Sequence, residues 1–264
     1  AERDGAILPL IAETGGQNAM IVDSSALPEQ VVDDVISSAF LSAGQRCSAL
    51  RVLYIQDEIA DSMIEMIKGA MNALTLGNPS ELATDIGPVI DKTALDHLEQ
   101  HIHDIKQGKL SSDDKQASII ARYDQKKLPI TGFFFAPSMV ELSSMAQLKD
   151  EVFGPVLHII RYQSKDLNKV LQEINDSGYG LTLGIHTRIE NVAEHICNHT
   201  SVGNTYVNRN MVGAVVGTQP FGGEGLSGTG PKAGGPHYLF RFATEKTQTI
   251  NTVATGGNAD LFGL

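Results

Sequence analysis

Tryptophan is absent from the 264-residue chain, and cysteine occurs only twice, as Cys47 and Cys197. Two thiols so far apart make no disulfide framework, and no His/Cys cluster stands at ligand spacing, so neither a stapled secreted scaffold nor any metal site is expected. Long apolar runs are missing too. None approaches the roughly 20 residues that span a bilayer, and the N-terminus lacks the charged, apolar and small-residue sections of a secretory signal. The expectation is a cytoplasmic chain without a membrane segment. Positive charge is scarce, with 20 Lys and Arg against 31 Asp and Glu, and a net charge of −11 leaves no basic patch for phosphates. The expected partner is a small molecule and not a nucleic acid.

What is present is a globular composition, 42% hydrophobic, sufficient for one large domain or two small ones. Residues 7–11 read as a short buried strand leading to Glu13, and Thr14, Gly15 and Gly16 as a turn into a second strand at 18–22. Val31, Val32, Val35, Ile36, Ala39 and Phe40 recur at helical spacing over 28–41. Strand patterns follow at 51–55, 132–135, 156–162 and 181–187, and helical ones at 57–73, 92–108, 164–177 and 189–199, with a polar loop at 111–116. This alternation predicts an α/β layered domain with a mainly parallel sheet and ligands at the carboxyl ends of its strands. His97, His101 and His103 share one predicted helix, where a solvated face is the expected role. Residues 213–235 are rich in glycine and proline, which suits a segment lining a site. Thr alternates with Ile and Val over 247–253, which suits a strand that pairs elsewhere, for instance on another subunit.

Chemistry concentrates first at Cys47, where an apolar helix gives way to Ala43, Gly44, Gln45, Arg46. A thiol reacts as its thiolate, which a helix N-terminus or a neighbouring cation such as Arg46 would favour. An isolated cysteine in such a place is as readily a core residue, and its company decides between the two. Glu13 stands thirty-four residues upstream, an acid after an apolar run and just before a glycine turn, where desolvation would raise its pKa toward useful basicity. Cys197 reads as a buried or inert helix residue.

Glu13 with Gly15 and Gly16, then Gly44, Gln45, Arg46, Cys47, then Glu151, Val152, Phe153, Gly154, Pro155, and finally Pro220, Phe221, Gly222, Gly223 together resemble the aldehyde dehydrogenase superfamily. The glycine-rich runs 213–223 and 226–235 are similar to those of 1-pyrroline-5-carboxylate dehydrogenases, in particular the dehydrogenase portion of the bacterial bifunctional proline utilization A family. The resemblance implies a three-layer catalytic domain over 1–246, with the motifs in 13–235, and a tail at 247–264 that serves oligomerisation. It implies oxidation of glutamate γ-semialdehyde to glutamate with NAD, Cys47 being the nucleophile that passes through a thiohemiacetal and a thioester. Glu13 would be the base for the hydrolytic water. The backbone N–H of Cys47 would serve the oxyanion. Glu151 and Phe153 would contact the nicotinamide end of the cofactor. Ser48 and the amides of Gly213 and Ala214 would hold the substrate carboxylate, with Phe221 on its aliphatic middle. Relatives commonly have serine where Ala214 stands.

The resemblance begins just before the catalytic acid, so the nucleotide-binding half is missing. Missing with it are an asparagine of the oxyanion hole, a ribose-binding lysine and the glycine turn beneath the pyrophosphate. The expectation is a piece of a longer protein, homo-oligomeric as a whole, that is inactive by itself, with FAD only in a separate proline dehydrogenase domain of a parent chain. Two other readings remain open at this point: an aldehyde dehydrogenase of different specificity, and a non-catalytic assembly module.

Overall fold

The computed structural model describes residues 4–5, 7–112 and 115–251. Its frame is a seven-stranded sheet of β1 (Ala19–Val22), β2 (Val52–Gln56), β5 (Ser118–Arg122), β6 (Ser138–Leu142), β7 (Val156–Tyr162), β9 (Thr182–His186) and β10 (Asn204–Val207). The order is β10-β9-β1-β2-β7-β6-β5, parallel except where β5 closes one edge antiparallel to β6. Small two-residue strands form two further pairs, β3 (Ser111–Ser112) with β4 (Lys115–Gln116) and β8 (Tyr179–Gly180) with β11 (Glu224–Gly225). The polar stretch expected as a loop thus contains a miniature hairpin. Every residue of β1, β2 and β9 is buried, as expected of parallel strands covered on both faces.

Helix α1 (Pro28–Phe40) starts on a proline, whose fixed φ suits a first helical turn, and buries Val31, Val32, Val35, Ala39 and Phe40. It packs on α2 (Asp57–Ala73), which turns Met63, Ile64, Ile67 and Met71 inward, and both lie against β7. Helix α3 (Lys92–Lys106) is capped by Asp91, whose carboxylate accepts from the Ala94 N–H at 2.8 Å. Helices α4 (Leu167–Asp176) and α5 (Glu190–His199) complete the layers.

Residues 7–11 are not a buried strand. Ile7 is 99% exposed, and the segment pairs with no strand among the described residues. A short apolar run needs a ladder partner to become a strand, and periodicity cannot supply one. Residues 132–135 are not a strand either. Gly132 has φ +109°, and Pro137 has no N–H to give, so pairing begins at Ser138. His101 leaves the solvated face expected of it, and its Nε2 lies 3.0 Å from Nε2 of the buried His158 on β7. Residues 247–251 are exposed and form no strand, and 252–264 lie outside the described residues.

Candidate active site

The candidate residues gather at the amino ends of the parallel strands, contrary to the expectation of carboxyl ends. Gly15 and Gly16 precede β1, Cys47 precedes β2 and Glu151–Gly154 precede β7. Between α1 and Cys47 the chain reverses through Ser42, Ala43 and Gly44, at φ 56°, 54° and 65°. Left-handed backbone costs a non-glycine residue about 1–2 kcal/mol, so the two residues before Gly44 hold strain beside the thiol. Gly44 admits no side chain, because a Cβ there would lie 2.3 Å from the Gly154 carbonyl oxygen. The turn leaves Cys47 exposed. Asn18 Nδ2 holds the Cys47 carbonyl at 2.7 Å and that of Ala49 at 2.9 Å.

Cys47 precedes a strand and not a helix, and Arg46 Nε donates to Ser42 Oγ at 3.1 Å. Burial pushes the Cys47 thiol up, and the charges of Glu151 and Glu13 push it further, against the opposing effect of the Ser48 and Cys47 N–H groups. The Arg51 guanidinium feels the Cys47 charge only after burial and Glu151.

Arg51 also fixes Glu151. Its Nε and Nη2 donate to Glu151 Oε1 at 3.1 and 2.9 Å, while Gly16 N–H donates to Oε2 at 3.1 Å. Gly15 must be glycine here, since a Cβ would fall 1.7 Å from Glu151 Oε2. Phe153 is 45% exposed, with the Arg51 guanidinium 5.0 Å from its ring centroid. Burial raises the Glu151 pKa, against the charge and hydrogen bonds of Arg51 and the bond from Gly16.

Glu13 is held by the glycine-rich segment. It bridges Gly228, its neighbour Thr14 N–H donates to the Ser227 carbonyl at 3.1 Å, and its own Oε2 accepts from Gly223 N–H at 3.4 Å. Desolvation raises its pKa, as expected, and the Gly223 bond and the charge of Lys232 pull the other way.

A cavity of about 600 Å³ opens beside the thiol, bordered by Cys47, Ser48, Gly213, Ala214 and Phe221. The substrate candidates and the nucleophile therefore meet, whereas Glu13, Glu151 and Phe153 lie outside this lining. Phe221 is fixed by a two-way backbone bridge to Ala233, at 3.0 and 2.8 Å. Gly213 has φ +75°, which turns the chain at the mouth of the cavity.

Residues 1–248 match the family model described as "Aldehyde dehydrogenase family". The chain belongs to that family. This aldehyde dehydrogenase chain is 56% identical over 254 residues to the Bifunctional protein PutA of Escherichia coli (strain K12), covering 96% of itself and 19% of that protein. It superposes with a TM-score of 0.87 on a crystal structure of bifunctional proline utilization A, at 57% identity, over 97% of its own length and 25% of the other chain. A 1-pyrroline-5-carboxylate dehydrogenase from Thermus with bound NAD gives a TM-score of 0.78 at 33% identity, over 88% of this chain and 43% of that one. The chain thus spans about a fifth of the curated PutA relative and less than half of the shorter enzyme.

Sequence reasoning passed over three residues of this aldehyde dehydrogenase site. Arg51 was read only as the start of a strand, although an arginine opening an apolar buried strand demands acceptors. Asn18 carries no motif signal beyond its place after the glycines. Lys232, inside the glycine-rich run, donates from Nζ to the carbonyls of Gly203 and Gly222 and to Asn204 Oδ1. Cys197 lies exposed on α5. Among the described residues there is no cluster of possible metal ligands and no helix long and apolar enough to cross a membrane.

Proposed function

We propose that this chain is the catalytic half of a dehydrogenase that oxidises glutamate γ-semialdehyde, the hydrolysed form of 1-pyrroline-5-carboxylate, to glutamate in proline catabolism. The observation that carries this reading is the shared border of Cys47, Ser48, Gly213, Ala214 and Phe221 on one cavity. In this reading Cys47 Sγ attacks the aldehyde carbon, and the carbonyl oxygen becomes an oxyanion facing the Cys47 N–H. The Ser48 hydroxyl and the amides of Gly213 and Ala214 hold the distant carboxylate, and Phe221 covers the methylene chain.

NAD⁺, when bound, supplies the two-electron acceptor that takes the tetrahedral adduct to a thioester. Glu151 and Phe153 are the residues that would hold its nicotinamide end. The exposed Phe153 ring suits packing, and Glu151 Oε2, which accepts one hydrogen bond from Gly16, keeps a lone pair for a ribose hydroxyl. Glu13 then takes a proton from water, whose oxygen adds to the thioester carbon, and Cys47 leaves as thiolate while the carboxylic acid forms. Desolvation raises the Glu13 pKa, the direction this step calls for. The reading places the protein in the cytoplasm as a homo-oligomer, with residues 247–264 serving assembly. It confines FAD to a separate proline dehydrogenase domain of a longer chain, and it assigns the present chain little or no turnover of its own.

The test is competition at the thiol. Iodoacetamide should label Cys47 ahead of Cys197, and glutamate and proline analogues should protect Cys47 better than simple aldehydes do. Equal protection by simple aldehydes would transfer the reading to an aldehyde dehydrogenase of other specificity. Equal inertness of both thiols would favour an assembly module. Steady NADH production by this chain alone would remove the statement on turnover.

A further inference from the structure

The chemistry above leaves unused the one cation buried at the centre of the site. Arg51 is 1% exposed, and each of its donor nitrogens is engaged. Nη1 reaches the Gly44 carbonyl at 2.7 Å and the Gly154 carbonyl at 3.2 Å, and Nη2 reaches the Arg46 carbonyl at 3.1 Å and Glu151 Oε1 at 2.9 Å. Nε takes a second bond to that oxygen at 3.1 Å. Two acceptors belong to the turn that presents Cys47, and two to the loop that presents Phe153. The planar fork is what allows this, because five N–H groups point at fixed angles from one rigid group. A lysine has three donors on one atom and cannot span four acceptors arranged around a plane.

We propose that Arg51 is a positioning residue, which clamps the Cys47 turn to the Glu151–Gly154 loop at one spacing. The inference rests on the reading of Cys47 as nucleophile and of Glu151 and Phe153 as the cofactor side. It also accounts for how Glu151 can sit so near the thiol, since a buried carboxylate without a partner would oppose ionisation of Cys47 more strongly. The charges acting on the sulfur are those of Glu151 and Glu13, Arg51 is the ion-pair partner of Glu151, and Lys232 acts on Glu13.

The experiment uses this chain with Arg51→Met and Arg51→Lys, and follows Cys47 alkylation by iodoacetamide from neutral to alkaline pH together with amide hydrogen exchange. In Arg51→Met, alkylation at neutral pH should fall about tenfold, the effect of a thiol titrating one pH unit higher. In Arg51→Lys the alkylation midpoint should stay near that of the unaltered chain. Exchange should nevertheless quicken about tenfold at residues 42–47 and 151–154 while the rest of the sheet keeps its protection. A merely structural role would quicken exchange throughout the sheet and leave the alkylation midpoint unmoved. If Arg51→Met does not fold, the exchange pattern of Arg51→Lys decides alone. Unchanged protection at both loops, or an alkylation profile of folded Arg51→Met that overlays the unaltered chain, overturns the proposal. A Cys47 already inert in the unaltered chain would instead defeat the reading of the nucleophile.

Discussion

On one side of Cys47, the loop of Glu151 and Gly154 is held by a buried charge pair and by carbonyls gripped from a single guanidinium. On the other side, residues 213–235 are held by backbone bridges and by Lys232, with Val216 98% exposed and the Phe221 backbone paired with Ala233. The first wall resists displacement, because moving it separates an ion pair of which one member is fully buried. The second is shaped by glycine turns and offers amides, so it can vary in side chains and still keep its form. On the proposed function, this asymmetry would suit a thiol that meets a cofactor on one side and a carboxylate-bearing substrate on the other.

The sharpest way to break the comparison is to remove the first wall's cation. Arg51→Met should cost about 3–5 kcal/mol, since it leaves the Glu151 carboxylate buried and unpaired. Val216→Ala in the second wall should stay within about 0.5 kcal/mol, and urea unfolding of the two variants side by side measures the contrast. Gly44→Ala comes next. It forces a Cβ against the Gly154 carbonyl at a left-handed position, and about 3 kcal/mol should be lost in the same assay.

Acid should weaken the first wall through His158, whose Nδ1 lies 3.0 Å from the Arg51 carbonyl. Burial lowers its pKa to about 3, so the folded chain keeps it neutral while the unfolded chain protonates it below about 6.5. Stability should therefore be lost as pH falls through that window, by about 2 kcal/mol from this residue at pH 5. His101, lowered to about 4, adds to the loss. Thermal melts of His158→Gln should show a flatter dependence on pH.

The second wall reaches Glu13 through Lys232. In Lys232→Met the lost positive charge should raise the Glu13 pKa further, and the ionisation that turns on deacylation should move to higher pH. Hydrolysis rates of Cys47 acylated with an activated ester would reveal it. The smallest effect belongs to Ala214→Ser, which adds a hydroxyl to an amide already present. Protection of Cys47 by glutamate should improve no more than about threefold, the scale of one exposed neutral hydrogen bond.

These expectations also mark what the sequence could convey. The central strands β2 and β7 and helices α1 and α2 were legible, because continuous apolar runs and 3.6-residue spacing are local signals. The sheet's two edges, Ser118–Arg122 and Asn204–Val207, were not, since their mixed composition becomes strand only through a neighbour's ladder. Cys47, Ser48, Gly213, Ala214 and Phe221 converge on one cavity as the motifs implied. Arg51 escaped notice because its four acceptors are drawn from loops about a hundred residues apart, and no local pattern joins them.

That separation has a bearing on how the chain folds. The bonds from Arg51 to Glu151 bridge 100 positions, and β7 docks beside β2 across a similar separation, Val52 facing His158. Closing such a loop is entropically slow and must await the intervening α2, α3, β5 and β6. During synthesis the Cys47 segment emerges long before the residues that shape its surroundings. Its thiol therefore acquires its partly desolvated surroundings as one of the later events of folding, and a chain interrupted before residue 151 would carry the cysteine without the Arg51–Glu151 clamp.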